Sequence, residues 1–252
     1  MTFIIAEAGV NHNGDFDTAI RLVDAAKATG ADAVKFQFFN SRKLWGDDRI
    51  THLELSGDQL EDLHTHANAT GIQFMCTPFG VEEAKFLKPL VKRMKISSGC
   101  IWRYDILDTV SDMPVILSTG MSNYEDIYKA LRHLGEVTLL HCTSAYPCRL
   151  QDVNLKAMQA MEVEFMRPVG YSDHTSGIVV AIAAAALGAK VIEKHLTLDR
   201  NSQGPDHKAS INPLEFKAMV VAIREVNEAL GNGIKRVLPS EKALREVWRA
   251  NA

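Results

Sequence analysis

Residues 169–196 read VGYSDHTSGIVVAIAAAALGAKVIEKHL and contain three predicted elements. Residues 169–173 and 191–196 carry the β-branched and aromatic side chains that favour strands. Residues 178–187, between them, have the length and the alanine-rich composition of a helix. A strand, a helix and a second strand in this order predict two parallel strands joined by a helical crossover.

The same alternation extends from this unit along the chain. The predicted strands cover residues 3–8, 33–39, 73–78, 94–98, 115–119, 137–143, 169–173 and 191–196. The predicted helices cover residues 17–29, 59–70, 81–91, 104–110, 124–134, 155–161, 178–187 and 213–230. Eight strand–helix units in a chain of this length favour a closed barrel over an open doubly wound sheet. The first predicted strand also lacks the GxGxxG turn of a dinucleotide-binding fold.

We therefore predict an α/β protein of one domain, a (β/α)8 TIM barrel over residues 1–231. Residues 232–252 are predicted to form a turn and a short helix that packs on the barrel or trails from it. The helix at 17–29 is expected to bury the face that carries Ala19, Leu22, Val23 and Ala26, because these residues recur at helical spacing.

The composition narrows the range of partners. The chain has 252 residues and a formal net charge of -3, with no block of Lys and Arg, so neither a nucleic acid nor a membrane is expected as partner. The N-terminus lacks the layout of a signal peptide, and we predict a cytoplasmic protein. The four cysteines form no CxxC pair and are expected to be free thiols.

Polar side chains cluster where the predicted strands end. They are Glu7, Lys35, Gln37, Thr77, Lys95, Ser98, Ser118, His141, Ser144, Ser172, His174, Glu193 and His195. In a barrel of this kind, catalytic groups gather at the C-terminal ends of the strands. Buried charges there are costly unless they pair with one another or meet a ligand. The strand ends therefore predict an active site.

Two subsets of these residues indicate particular ligands. His174 and His195 end adjacent predicted strands with carboxylates nearby, which indicates a divalent metal such as Mn, Fe, Co or Zn, with Mg possible. His141 is instead expected to be a hydrogen-bonded core residue. Lys35 and Lys95 either reach solvent as edge lysines or form an anion cradle. Hydroxyl groups nearby, on Thr77, Ser98 and Ser118, favour a cradle for phosphate and carboxylate.

Eight short motifs of the chain resemble those of the sialic acid synthase family. They are IAEAGVNHNG at 5–14, VKFQ at 34–37, KISSG at 95–99, LSTGM at 117–121, HCTSAYP at 141–147, GYSDHT at 170–175, EKH at 193–195 and GPDHKAS at 204–210. They follow one another in order at the predicted strand ends, which makes the resemblance specific. The family makes nonulosonic acids such as N-acetylneuraminic, legionaminic and pseudaminic acid. It joins phosphoenolpyruvate to an N-acylated hexosamine in its aldehyde form, of which N-acetylmannosamine is an example.

The resemblance implies a role for each matching residue. His174 and His195 would hold the divalent metal, usually Mn or Mg, and Glu7 would lie beside it. The residues implied for phosphoenolpyruvate are Lys35, Thr77, Lys95, Ser98, Ser118 and Ser172. Those implied for the sugar are Gln37, Tyr146, Glu193 and Asp206, and Ser144 also belongs to the substrate set. Glu7 or Glu193 would manage protons while C3 of phosphoenolpyruvate attacks the aldehyde, water adds at C2 and phosphate leaves by C–O cleavage.

Two departures from the family pattern bear on the sugar. Cys100 stands where members usually have an acidic residue. Many members also continue into an antifreeze-like domain that reaches over a partner subunit's active site, whereas this sequence stops at Ala252. We therefore expect a homo-oligomer, or a lid from a separate domain or chain, and expect sugar specificity to lie in the loops at 40–55 and 201–206. A metal-dependent aldolase acting on pyruvate, and a non-catalytic phosphoenolpyruvate-binding barrel, are the alternative functions.

Overall fold

The computed structural model describes residues 1–251 and contains all eight of the predicted strands. They are Phe3–Gly9 (β1), Ala33–Phe38 (β2), Gln73–Pro78 (β3), Met94–Ile96 (β4), Val115–Ser118 (β5), Val137–His141 (β6), Val169–Asp173 (β7) and Val191–His195 (β8). Every ladder between them is parallel. The alternation of elements therefore predicted both the number of strands and their direction.

The helices lie between the strands as predicted, with one addition. They are Phe16–Thr29 (α1), Ser41–Trp45 (α2), Gly57–Thr70 (α3), Val81–Leu87 (α4), Tyr104–Thr109 (α5), Tyr124–Leu131 (α6), Lys156–Phe165 (α7), Val179–Ala186 (α8), Pro213–Leu230 (α9) and Lys242–Ala250 (α10). The addition is α2, in a segment that we had interpreted as a loop. The helix α4 ends at Leu87, short of the predicted residue 91, because Pro89 has no backbone N–H with which to continue the helical hydrogen bonds.

The strand order makes the sheet a barrel. It runs β3-β2-β1-β8-β7-β6-β5-β4, so the first strand pairs with the last. The two ends of this order, β3 and β4, lie side by side, although no ladder joins them within the described residues. The barrel is thus nearly closed, and the predicted TIM-barrel fold is confirmed.

The barrel interior changes from apolar to polar along the strands. One interior cluster contains Ile5, Ala33, Met75, Ile116, Leu140 and Val191. Two residues further along their strands, on the same face, stand Glu7, Lys35, Thr77, Ser118 and Glu193. The apolar layer closes the bottom of the barrel, and the polar layer above it is open to ligands at the C-terminal ends.

The ring of helices packs on the outside of the strands. The helix α1 begins after Asp15, whose side chain accepts a hydrogen bond from the Thr18 backbone N–H. It buries the predicted face of Ala19, Leu22, Val23 and Ala26. The helix α9 packs against both α1 and α8, so the last helix of the barrel closes the ring beside the first.

The chain after Leu230 differs from the barrel in its exposure. Every described residue from 231 to 251 is exposed, including those of α10. None of the helices in the described chain combines the length and the apolar content that a passage through a bilayer requires.

Candidate active site

A cavity of about 540 Å³ opens at the C-terminal ends of the strands. All fourteen predicted site residues line it: Glu7, Lys35, Gln37, Thr77, Lys95, Ser98, Ser118, Ser144, Tyr146, Ser172, His174, Glu193, His195 and Asp206. Nine of them belong to β1, β2, β3, β4, β5, β7 or β8, and the others to the segments that follow strands. The fold therefore brings the whole predicted set to one place.

The strand register places the central side chains next to one another. Glu7 on β1 is the partner of Lys35 on β2 and of His195 on β8. Ser172 on β7 is the partner of Glu193 on β8. Register partners point to the same face of a sheet, so these five groups meet inside the barrel.

Two lysines and two carboxylates form the charged centre of the cavity. Lys35 Nζ lies 2.5 Å from Glu7 Oε2 and 3.7 Å from Glu193 Oε2, and it donates to Thr77 Oγ1 at 3.0 Å. Lys95 Nζ lies 3.6 Å from Glu193 Oε1. The two lysines are only 3% and 2% exposed. The interpretation of them as edge lysines that reach solvent is therefore wrong, and the cradle interpretation fits.

The two carboxylates differ in their protonation. Burial raises the pKa of Glu7 to about 7, against the opposing effect of Lys35. Burial alone would raise the pKa of Glu193 as well, but Lys35 and Lys95 together lower it to about 2. Glu193 is thus ionised at neutral pH and balances the lysines, whereas Glu7 is able to exchange a proton near pH 7.

Hydroxyl groups surround the lysines on the other side. Lys95 Nζ donates to Ser118 Oγ at 2.8 Å, and Ser172 Oγ donates to Glu193 Oε1 at 3.0 Å. Ser98 Oγ accepts a hydrogen bond from the backbone N–H of Gly120 at 3.0 Å. Ammonium groups and hydroxyls in this arrangement suit the oxygens of a phosphate or a carboxylate.

The two predicted metal ligands lie side by side. The ring centroids of His174 and His195 are 5.6 Å apart. His174 Nδ1 donates to the carbonyl oxygen of Thr143 at 2.7 Å, which leaves Nε2 as an acceptor. His195 Nδ1 is buried without a hydrogen-bond partner and lies 3.7 Å from Asp206 Oδ2.

Both histidines are neutral at physiological pH. Burial, together with the neighbouring His195, lowers the pKa of His174 to about 4. Burial also lowers the pKa of His195. Within residues 1–251 no three or more His, Cys, Asp or Glu side chains form a complete donor set for a metal ion. The two neutral imidazoles nevertheless supply a pair of nitrogen donors for a divalent cation, whose remaining ligands would be oxygens of water or substrate.

Tyr146 covers the histidine pair. Its ring centroid lies 4.2 Å from that of His174 and 5.8 Å from that of His195. The side chain is half exposed at the cavity mouth. It therefore shields the two histidines from solvent.

Some residues outside this set have the places that the sequence predicted. His141 Nε2 donates to the carbonyl oxygen of Val153 at 2.8 Å, so the side chain is hydrogen-bonded as expected, although it is only partly buried. The four cysteines are free and buried. Cys100 belongs to the main core cluster and does not line the cavity. Cys100 therefore contributes no polar group to the cavity of this chain.

An apolar part of the cavity was not predicted from the sequence. Val10, Phe39 and Leu53 form a small buried cluster, separate from the main core, and three partly buried side chains pack against it: Leu44, Ile50 and Phe79. All six line the cavity, and we call them the apolar wall. The sequence did contain a signal for α2, the helix that carries Leu44, because Asn40 and Gly46 are its cap residues.

A buried ion pair behind the histidines was also missed. Lys194 Nζ lies 2.9 Å from Asp173 Oδ2 and 2.5 Å from the carbonyl oxygen of Thr175, and both charged side chains are fully buried. These residues alternate along β7 and β8 with His174, Glu193 and His195, so they point away from the cavity. The pair ties together the ends of the two strands that carry the histidines.

The chain is similar to several known proteins. The NeuB family model matches residues 22–235. The N,N'-diacetyllegionaminic acid synthase of Campylobacter jejuni is 43% identical, over 96% of this chain and 81% of that protein. The N-acetylneuraminate-9-phosphate synthase of Homo sapiens is 37% identical, over 97% and 75%. The crystal structure of an N-acetylneuraminic acid synthetase from Leptospira borgpetersenii has a TM-score of 0.93 at 35% identity, covering 100% of this chain and 92% of that one.

Proposed function

Because the chain belongs to the NeuB family, as its eight motifs predicted, we propose that it condenses phosphoenolpyruvate with an N-acylated hexosamine aldehyde. The products are a nonulosonic acid and phosphate. The observation that carries this proposal is that one cavity holds two buried lysines with their hydroxyl groups beside a pair of neutral histidines. The synthase names of its relatives support the same reaction class.

The lysine half of the cavity suits phosphoenolpyruvate. This substrate carries a phosphate and a carboxylate, and the cavity offers two buried ammonium groups. The hydroxyl groups proposed to bind it are those of Thr77, Ser98, Ser118 and Ser172. The Glu193 carboxylate lies within 3.7 Å of each lysine and favours the charged form of both.

The histidine half suits a divalent metal. We propose that His174 and His195 hold manganese or magnesium, with cobalt or zinc as other possible ions, and that Asp206 lies close enough to assist. Such an ion supplies Lewis acidity toward the aldehyde carbonyl. Tyr146, Ser144 and Gln37 complete the surroundings of the sugar, since each lines the cavity.

The proton chemistry is assigned to Glu7. In the proposed reaction C3 of phosphoenolpyruvate attacks the aldehyde, water adds at C2, and phosphate leaves by C–O cleavage. Glu7 is suited to take the proton of that water, because its pKa of about 7 matches the working pH of a general base. Gln37 Nε2 donates to Glu7 Oε1 at 3.1 Å and fixes the orientation of the carboxylate. Glu193 is ionised at neutral pH and pairs with the two lysines instead.

The test of the proposal is a panel of reactions with Mn²⁺. Phosphoenolpyruvate or pyruvate is offered with each of several N-acylated hexosamines, and phosphate and 2-keto acid are measured together. We expect equal amounts of both products, from phosphoenolpyruvate only. A product from pyruvate would favour the aldolase. Binding of phosphoenolpyruvate without turnover across the panel would favour a non-catalytic barrel.

Gly120→Ala is expected to raise the KM for phosphoenolpyruvate at least about tenfold. A Cβ atom at residue 120 would overlap Ser144 Oγ and come within 2.9 Å of Ser98 Oγ, so a hydroxyl group of the cradle must move. Gly99→Ala is the control, because Gly99 lines the cavity but a Cβ there meets nothing within 4 Å. Steady-state kinetics with varied phosphoenolpyruvate measures both variants. Equal KM values for the two would contradict the proposed place of the substrate.

Three organisational features are proposed from the sequence. They are a barrel domain at residues 1–231 followed by a separate terminal segment, a homo-oligomer or a lid from another domain or chain, and a cytoplasmic location. The exposure of the described residues after Leu230 is compatible with the first of these.

A further inference from the structure

The apolar wall gives the cavity two unlike halves. The half that carries the lysines and histidines is polar, and the other is built from Val10, Phe39, Leu44, Ile50, Leu53 and Phe79. The Phe39 and Phe79 rings meet edge to face with centroids 6.1 Å apart. None of these six side chains has a donor or acceptor to offer. A group bound against them gains by losing contact with water, not by hydrogen bonding.

The positive charges around the cavity indicate which substrate groups the apolar half of the cavity excludes. Among the lining residues that the structure describes, the cations are Lys35, Lys95 and Arg49. The first two belong to the proposed phosphoenolpyruvate site. Arg49 lies at the exposed rim, where its Nε and Nη2 donate to the Asp47 carboxylate at 2.8 Å and 2.6 Å.

A phosphate group on the sugar would therefore contact few groups that could bind it. Near Arg49 it would meet the like charge of Asp47 in a solvent-exposed place, where an ion pair contributes little. Against the apolar wall it would lose its hydration without any compensating hydrogen bond. The methyl group of an N-acyl substituent, or a carbon atom without a hydroxyl, is neither repelled by Asp47 nor deprived of hydrogen bonds at the apolar wall.

We propose that the apolar wall receives the apolar substituents of the amino sugar, so that the chain selects an unphosphorylated aldehyde over its phosphate ester. The inference rests on the proposed function and adds the class of its second substrate. It assigns Leu44 and Ile50 as specificity-determining residues, because both are partly buried, line the cavity and lie outside the charged centre.

The experiment compares three aldehyde substrates with the unaltered chain, Mn²⁺ and phosphoenolpyruvate. They are N-acetylmannosamine, its 6-phosphate, and a 6-deoxy hexose with acetamido groups at C2 and C4. We expect kcat/KM for the 6-phosphate to be at least about tenfold below that for N-acetylmannosamine. The diacetamido sugar is expected to exceed N-acetylmannosamine by about 10- to 200-fold, the range for an added apolar group in a complementary pocket.

Leu44→Ser provides a second readout. It should lower kcat/KM for the diacetamido sugar about tenfold and leave the KM for phosphoenolpyruvate unchanged. Leu214→Ser is its matched control, because Leu214 is 81% exposed on α9 and does not line the cavity. A kcat/KM for the 6-phosphate equal to or above that for N-acetylmannosamine would overturn the inference but not the proposed function. An unchanged kcat/KM for the diacetamido sugar in Leu44→Ser would do the same. Absence of phosphate release with every aldehyde would instead count against the proposed function.

Discussion

Alanine in place of His195 is expected to abolish the condensation while the barrel stays folded. The substitution removes one of two neutral imidazoles from an open cavity, and its Nδ1 has no hydrogen-bond partner to leave behind. A Lewis acid contributes several kcal/mol to stabilising charge in a transition state. We therefore expect phosphate release to fall at least about 1,000-fold, because each factor of ten corresponds to about 1.4 kcal/mol.

Three measurements on His195→Ala separate the loss of metal binding and of activity from a loss of folding. Isothermal titration with Mn²⁺ should show no binding at concentrations that saturate the unaltered chain. Phosphate release should fall to background, and the thermal midpoint should move by only a few degrees. His52→Ala, an exposed histidine outside the cavity lining, is the control and should match the unaltered chain. A His195→Ala variant that binds Mn²⁺ and turns over would remove the metal assignment.

The adjacent residue is expected to give the opposite result. Lys194→Met should lower the free energy of unfolding by about 3–5 kcal/mol, the usual cost of removing one member of a buried ion pair. Lys194 and Asp173 are both fully buried, and Asp173 Oδ2 would lose its ammonium partner at 2.9 Å. The carbonyl oxygen of Thr175 would lose a donor as well. The effect is large because the remaining carboxylate has no route to water.

Urea denaturation of Lys194→Met measures this loss. Lys190→Met is the matched control, because the Lys190 side chain is 55% exposed and pairs with Glu162 only at 3.7 Å; it should change the unfolding free energy by less than about 1 kcal/mol. The double variant Asp173→Leu with Lys194→Met should recover part of the stability, because no charge is left buried alone. A loss below about 1 kcal/mol in Lys194→Met would mean that the pair does not tie β7 to β8.

The sequence was sufficient for the barrel and for the polar half of the site because both follow from one regularity. Side chains two apart on a strand share a face, so an apolar residue such as Ile5 at the barrel bottom predicts that Glu7 points inward above it. Parallel strands then bring their ends to one mouth. Lys35, His174 and His195 were therefore expected at one end of the barrel, and all three line the cavity.

The remainder of the site depends on contacts between distant segments. The apolar wall joins Val10, Phe39 and Phe79 to the segment of residues 40–55, and no periodicity in so short a segment reports that packing. The different pKa values of Glu7 and Glu193 likewise depend on contacts between strands, because Lys35 opposes the effect of burial at Glu7, whereas Lys35 and Lys95 both oppose it at Glu193. The sequence supplied two carboxylates as candidates for proton transfer, and this difference in pKa favours Glu7.

The most direct measurement uses phosphoenolpyruvate labelled with ¹⁸O at its bridging oxygen, together with Mn²⁺ and an unphosphorylated N-acylated hexosamine. Mass spectrometry of both products follows the carbon skeleton and the label in one reaction. The account predicts a 2-keto acid that contains all the carbons of both substrates, and phosphate that carries the ¹⁸O. Phosphate without the label, or a sugar left unchanged while phosphoenolpyruvate is bound, would contradict it.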